Sequence, residues 1–231
     1  MGMEGWGNIL KQPIIFCDFD GTVTKKDNIA SIMERFAPPE WEELKDAVLA
    51  QELSIQEGVG QMFALLSPSL RQDIVSFVLE TAEFREGFSD FVQYAKQQDI
   101  PLYIVSGGIN FFVKPLLESF NSIAGVYCNE ADFSGDTIQI QWPHLCDEQC
   151  SNQHCGCCKP TIIRQLSNAD THAIVIGDSV TDLQAAKIAD TVIARDYLSK
   201  KCAELLIPFQ PFETFYDCID VLENLQGVGE K

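Results

Sequence analysis

Basic residues are scarce in this chain. Its 231 residues hold 16 Lys and Arg against 34 Asp and Glu, a formal net charge of −18. That balance argues against nucleic acid or an anionic membrane as a partner, because either demands cations that displace counterions. The acidity serves solubility, and a small anionic substrate stays compatible with it if a metal ion and a few cations reverse the potential locally. Long apolar runs are missing too, and no stretch reaches the length a membrane span needs. Met1 to Gln12 lacks a basic start followed by an apolar run, so a cytosolic location is expected. With no such signal, and in a chain long enough to build its own core, the nine cysteines are expected as thiols or metal ligands rather than disulfides. Internal repeats and low-complexity linkers are also absent.

What is present is ordinary globular composition, 46% hydrophobic and 22% charged, enough for one medium domain or a core with an inserted lobe. Ile14 to Cys17, Leu102 to Val105 and Ala173 to Ile176 are short apolar runs, each ending at Gly, Ser or Asp, the pattern of buried parallel strands. Helical periodicity alternates with them: Phe88, Phe91, Val92 and Ala95 form one stripe, and Leu183, Ala186 and Ile188 a rougher one. The expected fold is therefore α/β, a doubly wound Rossmann-like parallel sheet whose ligands lie beyond the carboxyl ends of the strands.

Between Thr24 and Arg85 the strand signal disappears. Asn28 to Phe36, Glu40 to Gln51, Ile55 to Leu66 and Leu70 to Ala82 read as helices punctuated by Pro38, Pro39 and Pro68. The expected organisation is a core of residues 1–24 and 86–231 with a helical cap at 25–85, placed as a lid after the first strand. A hairpin is expected over Val126 to Trp142, turning at Ser134, Gly135 and Asp136, and leading into a cysteine-rich loop that ends near residue 158. Gln226 to Lys231 reads as a loose tail.

Four segments carry chemistry. At the end of the first strand, Asp18 and Asp20 can bend toward one crevice, Gly21 permits a sharp exit and Thr22 offers a hydroxyl. Ser106, Gly107 and Gly108 close the second strand with a hydroxyl and amides suited to phosphate oxygens. Lys159 opens a helix at Pro160 and Thr161, from which its ammonium reaches the same place. Gly177, Asp178, Ser179 and Asp182 end the third strand and add two acids for a metal.

In order and residue type these segments resemble the haloacid dehalogenase-like phosphatase superfamily. The resemblance implies that Asp18 is the nucleophile and Asp20 the acid and then the base. It implies phosphate binding by Ser106, the Gly107 amide and Lys159. Magnesium is implied at Asp18, the Asp20 carbonyl and Asp178, with Asp182 ordering the shell and orienting Lys159. DNIASIMERFAPPEWEELKD, LSIQEGVGQMFALL, WPHLC, CGCCKP and IGDSVTDLQAAK are similar to a narrower branch of that superfamily, which acts on 2-hydroxy-3-keto-5-methylthiopentenyl-1-phosphate in methionine salvage.

The rival branch is phosphoserine phosphatase, which the resemblance associates with a cap glutamate nine residues after the nucleophile and a cap arginine. This chain has Asp27 at the first position, and no Lys or Arg from Asp46 through Leu70, so a substrate carboxylate would lack its bidentate partner in that segment. Met33, Phe36, Met62 and Phe63 are candidates for a neutral methylthio pocket, or else cap core. A non-enzymatic sensor of phosphorylated metabolites is the rival class, against which the Asp18 and Asp20 pair weighs. The sequence leaves oligomeric state open.

Cys146, Cys150, Cys155 and Cys158, with Cys157, His144 and His154 nearby, are dense enough for a structural zinc site. Their spacing departs from paired CxxC knuckles, and strain disfavours ligation by both Cys157 and Cys158, so a thiol-rich loop that positions Lys159 is the alternative. Cys17, Cys128, Cys202 and Cys218 are expected to behave as small buried apolar residues.

Overall fold

The computed structural model describes residues 11–227. Among them a sheet of seven strands runs in the order β4-β3-β2-β1-β5-β6-β7. The strands are β1 (Gln12–Cys17), β2 (Leu102–Ile109), β3 (Gly125–Asp132), β4 (Gln139–Gln141), β5 (Thr171–Gly177), β6 (Thr191–Ala194) and β7 (Gln210–Pro211). All neighbours pair in parallel except β3 with β4, the expected hairpin. Pro13 is tolerated in β1 because pairing with β2 begins only at Ile15, so no ladder bond is lost on that side.

Alternation along β1 divides the interior in two. Ile15 and Cys17 face one core cluster with Phe88, Phe91, Phe112 and Phe215. Phe16 faces the other with Val105, Ile162, Val175 and Ala185. The first cluster is supplied by α5 (Phe88–Gln97), α6 (Asn110–Leu117) and α10 (Phe215–Gly227), and the second by α7 (Lys159–Leu166) and the one-turn α8 (Leu183–Ala186). Helices on both faces explain why the strands read as unbroken apolar runs. In α8 the buried residues are Ala185 and Ala186, whereas Ile188 is 42% exposed. The expected Leu183, Ala186, Ile188 stripe is therefore corrected, since the helix ends before a second turn can aim Ile188 inward. The remaining core helix is α9 (Asp196–Glu204).

The 25–85 segment forms α1 (Asn28–Phe36), α2 (Trp41–Leu49), α3 (Ile55–Ala64) and α4 (Arg71–Thr81). Asp27 caps α1 by accepting from the Ala30 amide at 2.9 Å, and Ser54 and Glu57 form a reciprocal capping box on α3. These caps satisfy orphan amides and fix where the helices begin. The chain enters and leaves this segment through two adjacent stretches, bridged by Thr24 with Phe84 and by the Arg85 amide donating to the Val23 carbonyl at 2.8 Å. Met33 and Phe63 are fully buried, Met62 is nearly so, and Phe36 packs edge-on against Phe77. Of the two roles expected for these residues, Met33, Met62 and Phe63 take the core one, and Phe36 is partly buried against them.

Residues 142–158 form neither helix nor strand. The loop lies against α3, where the Gln56 amide donates to the His154 carbonyl at 3.4 Å. α10 extends to Gly227, so the tail expected from Gln226 gives way to helix at its first two positions, and its last four, 228–231, lie outside the described residues. No single helix among the described residues is long and apolar enough to cross a membrane.

Candidate active site

Register brings the site together. Cys17 of β1 pairs with Ile104 of β2 and with Ile176 of β5. The residues just beyond, Asp18, Ser106 and Asp178, therefore emerge at one carboxyl edge, on three adjacent strands. β2 continues to Ile109, so Ser106, Gly107 and Gly108 lie within the strand rather than closing it. The pairing with β3 shifts between Val105 and Ile109, a bulge of the kind that re-aims side chains beside a site.

Lys159 is the electrostatic centre. Its Nζ lies 2.7 Å from Asp18 Oδ1 and 2.5 Å from Asp182 Oδ1, and all three side chains are buried. Burial alone would lower the Lys159 pKa, but the two carboxylates hold it above its ordinary range. Burial raises Asp18 well above the carboxylate range, Asp182 adds to this, and Lys159 opposes it. Asp182 is saturated: its Oδ2 also accepts from the Asp178 amide and from the Ser179 amide and hydroxyl. It orients Lys159 and the β5 turn, and its oxygens are already committed. Gly177 is required there because a methyl group would overlap the Asp182 carboxyl.

Asp178 accepts from Thr22 Oγ1 at 2.6 Å. Burial, with Asp182 adding, lifts its pKa to about 6 against that hydrogen bond. Gly21, at φ +83°, passes so close that a Cβ would sit 2.5 Å from Asp178 Oδ2. Glycine thus serves both the left-handed turn and the close approach. Oxygens of Asp18, Asp178 and Asp182 lie within 4.8 Å of one another. With Asp182 committed, Asp18 and Asp178 remain as hard oxygen donors in a group whose three carboxyls outnumber its one ammonium, which suits a divalent cation such as magnesium.

Asp20 sits apart from Lys159. Its Oδ1 accepts from the Asn28 amide at 3.1 Å and from Asn28 Nδ2 at 2.6 Å, and its Oδ2 accepts from Ser106 Oγ at 3.2 Å. Burial, followed by the nearby Asp27 carboxylate, pushes its pKa up to about 7. Two aspartates one residue apart thereby acquire different environments, one beside an ammonium and one able to hold a proton near neutrality. Gly108 leaves room for this arrangement, because a Cβ there would meet Asp20 Oδ2 at 2.7 Å. Gly107 faces open space.

Three contributors carry no local sequence signal. Asn28 begins α1 and reaches back to Asp20. Arg85 is buried in the neck, where its Nε donates to the Thr22 carbonyl at 2.8 Å and its Nη2 to the Gly21 carbonyl at 2.6 Å, pinning the turn after Asp18. Asn129 of β3 donates to the Gly107 carbonyl at 2.8 Å. Each depends on elements distant in sequence.

Beside Lys159 and Asp178 opens a cleft of about 780 Å³, walled by Val48 of α2, Leu53 of the following loop, Ile55 of α3, Cys155 of the 142–158 loop and Val180 after β5. Among its described lining residues Lys159 is the one lysine or arginine. The Sγ atoms of Cys146, Cys150, Cys155 and Cys158 lie within 4.8 Å of one another. Cys157 turns away toward the Tyr127 carbonyl, His144 packs on the Tyr127 ring and the His154 ring meets Gln56. Cys17, Cys128, Cys202 and Cys218 are singly buried, as expected.

Comparison with known proteins places this geometry. A family model for haloacid dehalogenase-like hydrolases matches residues 15–187. A Geobacillus thermodenitrificans protein named 2-hydroxy-3-keto-5-methylthiopentenyl-1-phosphate phosphatase is 56% identical over 219 residues, covering 95% of this chain and 99% of the relative. A Bacillus cereus protein of the same name is 57% identical over 203 residues, 88% of this chain and 92% of its own. Among solved structures, a phosphoserine phosphatase described as a phospho-aspartyl intermediate analogue aligns with TM-score 0.69 at 15% identity, over 91% of this chain and 99% of that one. At that identity the likeness shows the fold alone.

Proposed function

Since the chain belongs to the haloacid dehalogenase-like hydrolase family and is a phosphoric monoester hydrolase, we propose that its substrate is 2-hydroxy-3-keto-5-methylthiopentenyl-1-phosphate, the ester named for its relatives. Hydrolysis yields phosphate and 1,2-dihydroxy-3-keto-5-methylthiopentene, a step of methionine salvage in the cytoplasm. The observation that carries the chemistry is the meeting of Asp18, Asp20, Ser106, Lys159 and Asp178 at one sheet edge.

Asp18 Oδ attacks phosphorus in line, forming an aspartyl-phosphate bond as the ester P–O bond breaks. Asp20, protonated near neutrality, gives its proton to the departing oxygen. The resulting carboxylate then takes a proton from water, whose oxygen attacks phosphorus and releases Asp18. Lys159, Ser106 Oγ and the Gly107 amide hold the phosphoryl oxygens, and Asp182 keeps Lys159 aimed. Asp18, the Asp20 carbonyl and Asp178 are the proposed holders of magnesium, which when bound offsets the repulsion between carboxylate and phosphate dianion. The helices of residues 25–85 act as the lid, and their neck at Thr24 and Phe84 is the proposed hinge.

Specificity for a neutral tail rests on the cleft, whose apolar wall and single cation offer no bidentate partner for a substrate carboxylate. We expect kcat/KM on the salvage ester to exceed that on phosphoserine by roughly 10²-fold or more, with phosphate release dependent on added magnesium. Preference for phosphoserine would overturn the substrate, and full activity in a chelator would overturn the metal. Replacing Asn28 with Ala removes the side-chain donor to Asp20 and is expected to lower kcat by roughly 10²-fold through misplacement of the acid. The loss should fall on kcat rather than KM, and an unchanged kcat would remove Asn28 from the machinery.

A further inference from the structure

We infer that Cys146, Cys150, Cys155 and Cys158 bind one structural zinc ion as a tetrathiolate. Zinc held tetrahedrally by sulfur at about 2.3 Å places the sulfurs roughly 3.8 Å apart. The Cys150 and Cys155 sulfurs are 3.7 Å apart, and all four lie within 4.8 Å of one another. A disulfide needs about 2.05 Å, and each of the nine cysteines is free. Convergence of four sulfurs is also more than apolar packing requires. Cys17, Cys128, Cys202 and Cys218 satisfy that role as single buried side chains among apolar neighbours.

The backbone is bent to achieve the convergence. Gln153, His154 and Gly156 all have positive φ, at 51°, 52° and 78°, a conformation that side chains other than glycine seldom adopt. The turn they make brings Cys155 and Cys158 to the same point as Cys146 and Cys150. Residues 142–158 otherwise lack helix and strand, and a loop of that length inside a compact domain usually needs a staple or a function.

Surrounding groups fit a charged sulfur centre. Thr161 Oγ1 donates to Cys158 Sγ at 3.1 Å, and the Asp147 amide donates to Thr161 Oγ1 at 3.0 Å. Arg164 pairs bidentately with Asp147, setting a cation close to four thiolates whose charge with zinc is −2. Such outer hydrogen bonds and charges orient thiolate ligands. The spacing of these cysteines carries no zinc-knuckle signature, and the tertiary fold supplies what the spacing lacks. Cys158 immediately precedes Lys159, the first residue of α7, so the ion would fix the point from which that lysine projects. The site does not depend on which ester is hydrolysed.

The full chain, purified without chelators and without a metal-affinity step, is expected to contain about one zinc by elemental analysis. Cys155→Ser and Cys158→Ala should lose it, whereas Cys157→Ser, altering a buried thiol outside the set, should keep it. Cobalt added to the metal-stripped wild type should give the intense thiolate charge-transfer and tetrahedral ligand-field bands of a sulfur site. That measurement decides the question even if a cysteine variant fails to fold. Iron in place of zinc, zinc below roughly a tenth of an equivalent after growth with added zinc, or full retention by the variants overturns the proposal.

Discussion

Asp18→Asn is expected to lower kcat by at least roughly 10⁴-fold. The amide nearly matches the carboxylate in shape but cannot form the aspartyl-phosphate bond, and no other described carboxylate is placed to replace it. Asp20 is held by Asn28 and Ser106, Asp178 by Thr22, and Asp182 by Lys159 and the β5 turn. The variant should remain folded, because Lys159 retains Asp182 at 2.5 Å and the buried site loses one of its surplus negative charges. Its Tm is expected within about 4 °C of the wild type. Acid-quenched wild-type enzyme should carry phosphate on the peptide containing Asp18 and the variant should not. Turnover near the wild-type rate in the variant would end the proposed mechanism.

Lys159→Met removes the ammonium between two buried carboxylates, and its effect should appear in both stability and rate. Deleting one member of a buried ionic group costs about 3–5 kcal/mol, since the partners stay buried without compensation. For a chain of this length that corresponds to a fall in Tm of roughly 10 °C. Loss of the proposed phosphate donor should reduce kcat/KM by at least roughly 10²-fold. The two effects separate in a second variant. Adding Asp182→Asn to Lys159→Met removes one uncompensated carboxylate and should recover part of the Tm while recovering none of the activity. Recovery of activity with Tm would reduce Lys159 to a structural role, and a Lys159→Met enzyme of wild-type kcat/KM would remove it from the site.

The parts of this molecule legible in its sequence share a physical cause. β1, β2 and β5 are buried on both faces, so their apolar runs stand out, and β1 and β5 end beside the aspartates that leave the sheet, whereas β2 runs on past Ser106 to Ile109. α1 is bounded as its periodicity predicts, at Asn28–Phe36, because Asp27 caps it and the chain turns extended at Ala37. β6 and β7, of four and two residues, are too short to set up a period. Met33, Met62 and Phe63 have the chemistry of a methylthio pocket, yet the helical segment shares one continuous apolar core with the sheet, and that core claims them. Similarity to known proteins narrows the substrate further than the side chains of the cleft do.

Local pattern by itself determined the central strands, the aspartate pair and the run of helices between residues 25 and 85, because each is written within a few consecutive residues. Only the tertiary structure decided that Cys17, Ile104 and Ile176 stand level, that Asn28 and Arg85 reach back to the turn after β1, and that four unevenly spaced thiols meet. Register and long-range convergence depend on how distant elements pack against one another, and no window along the chain contains that information.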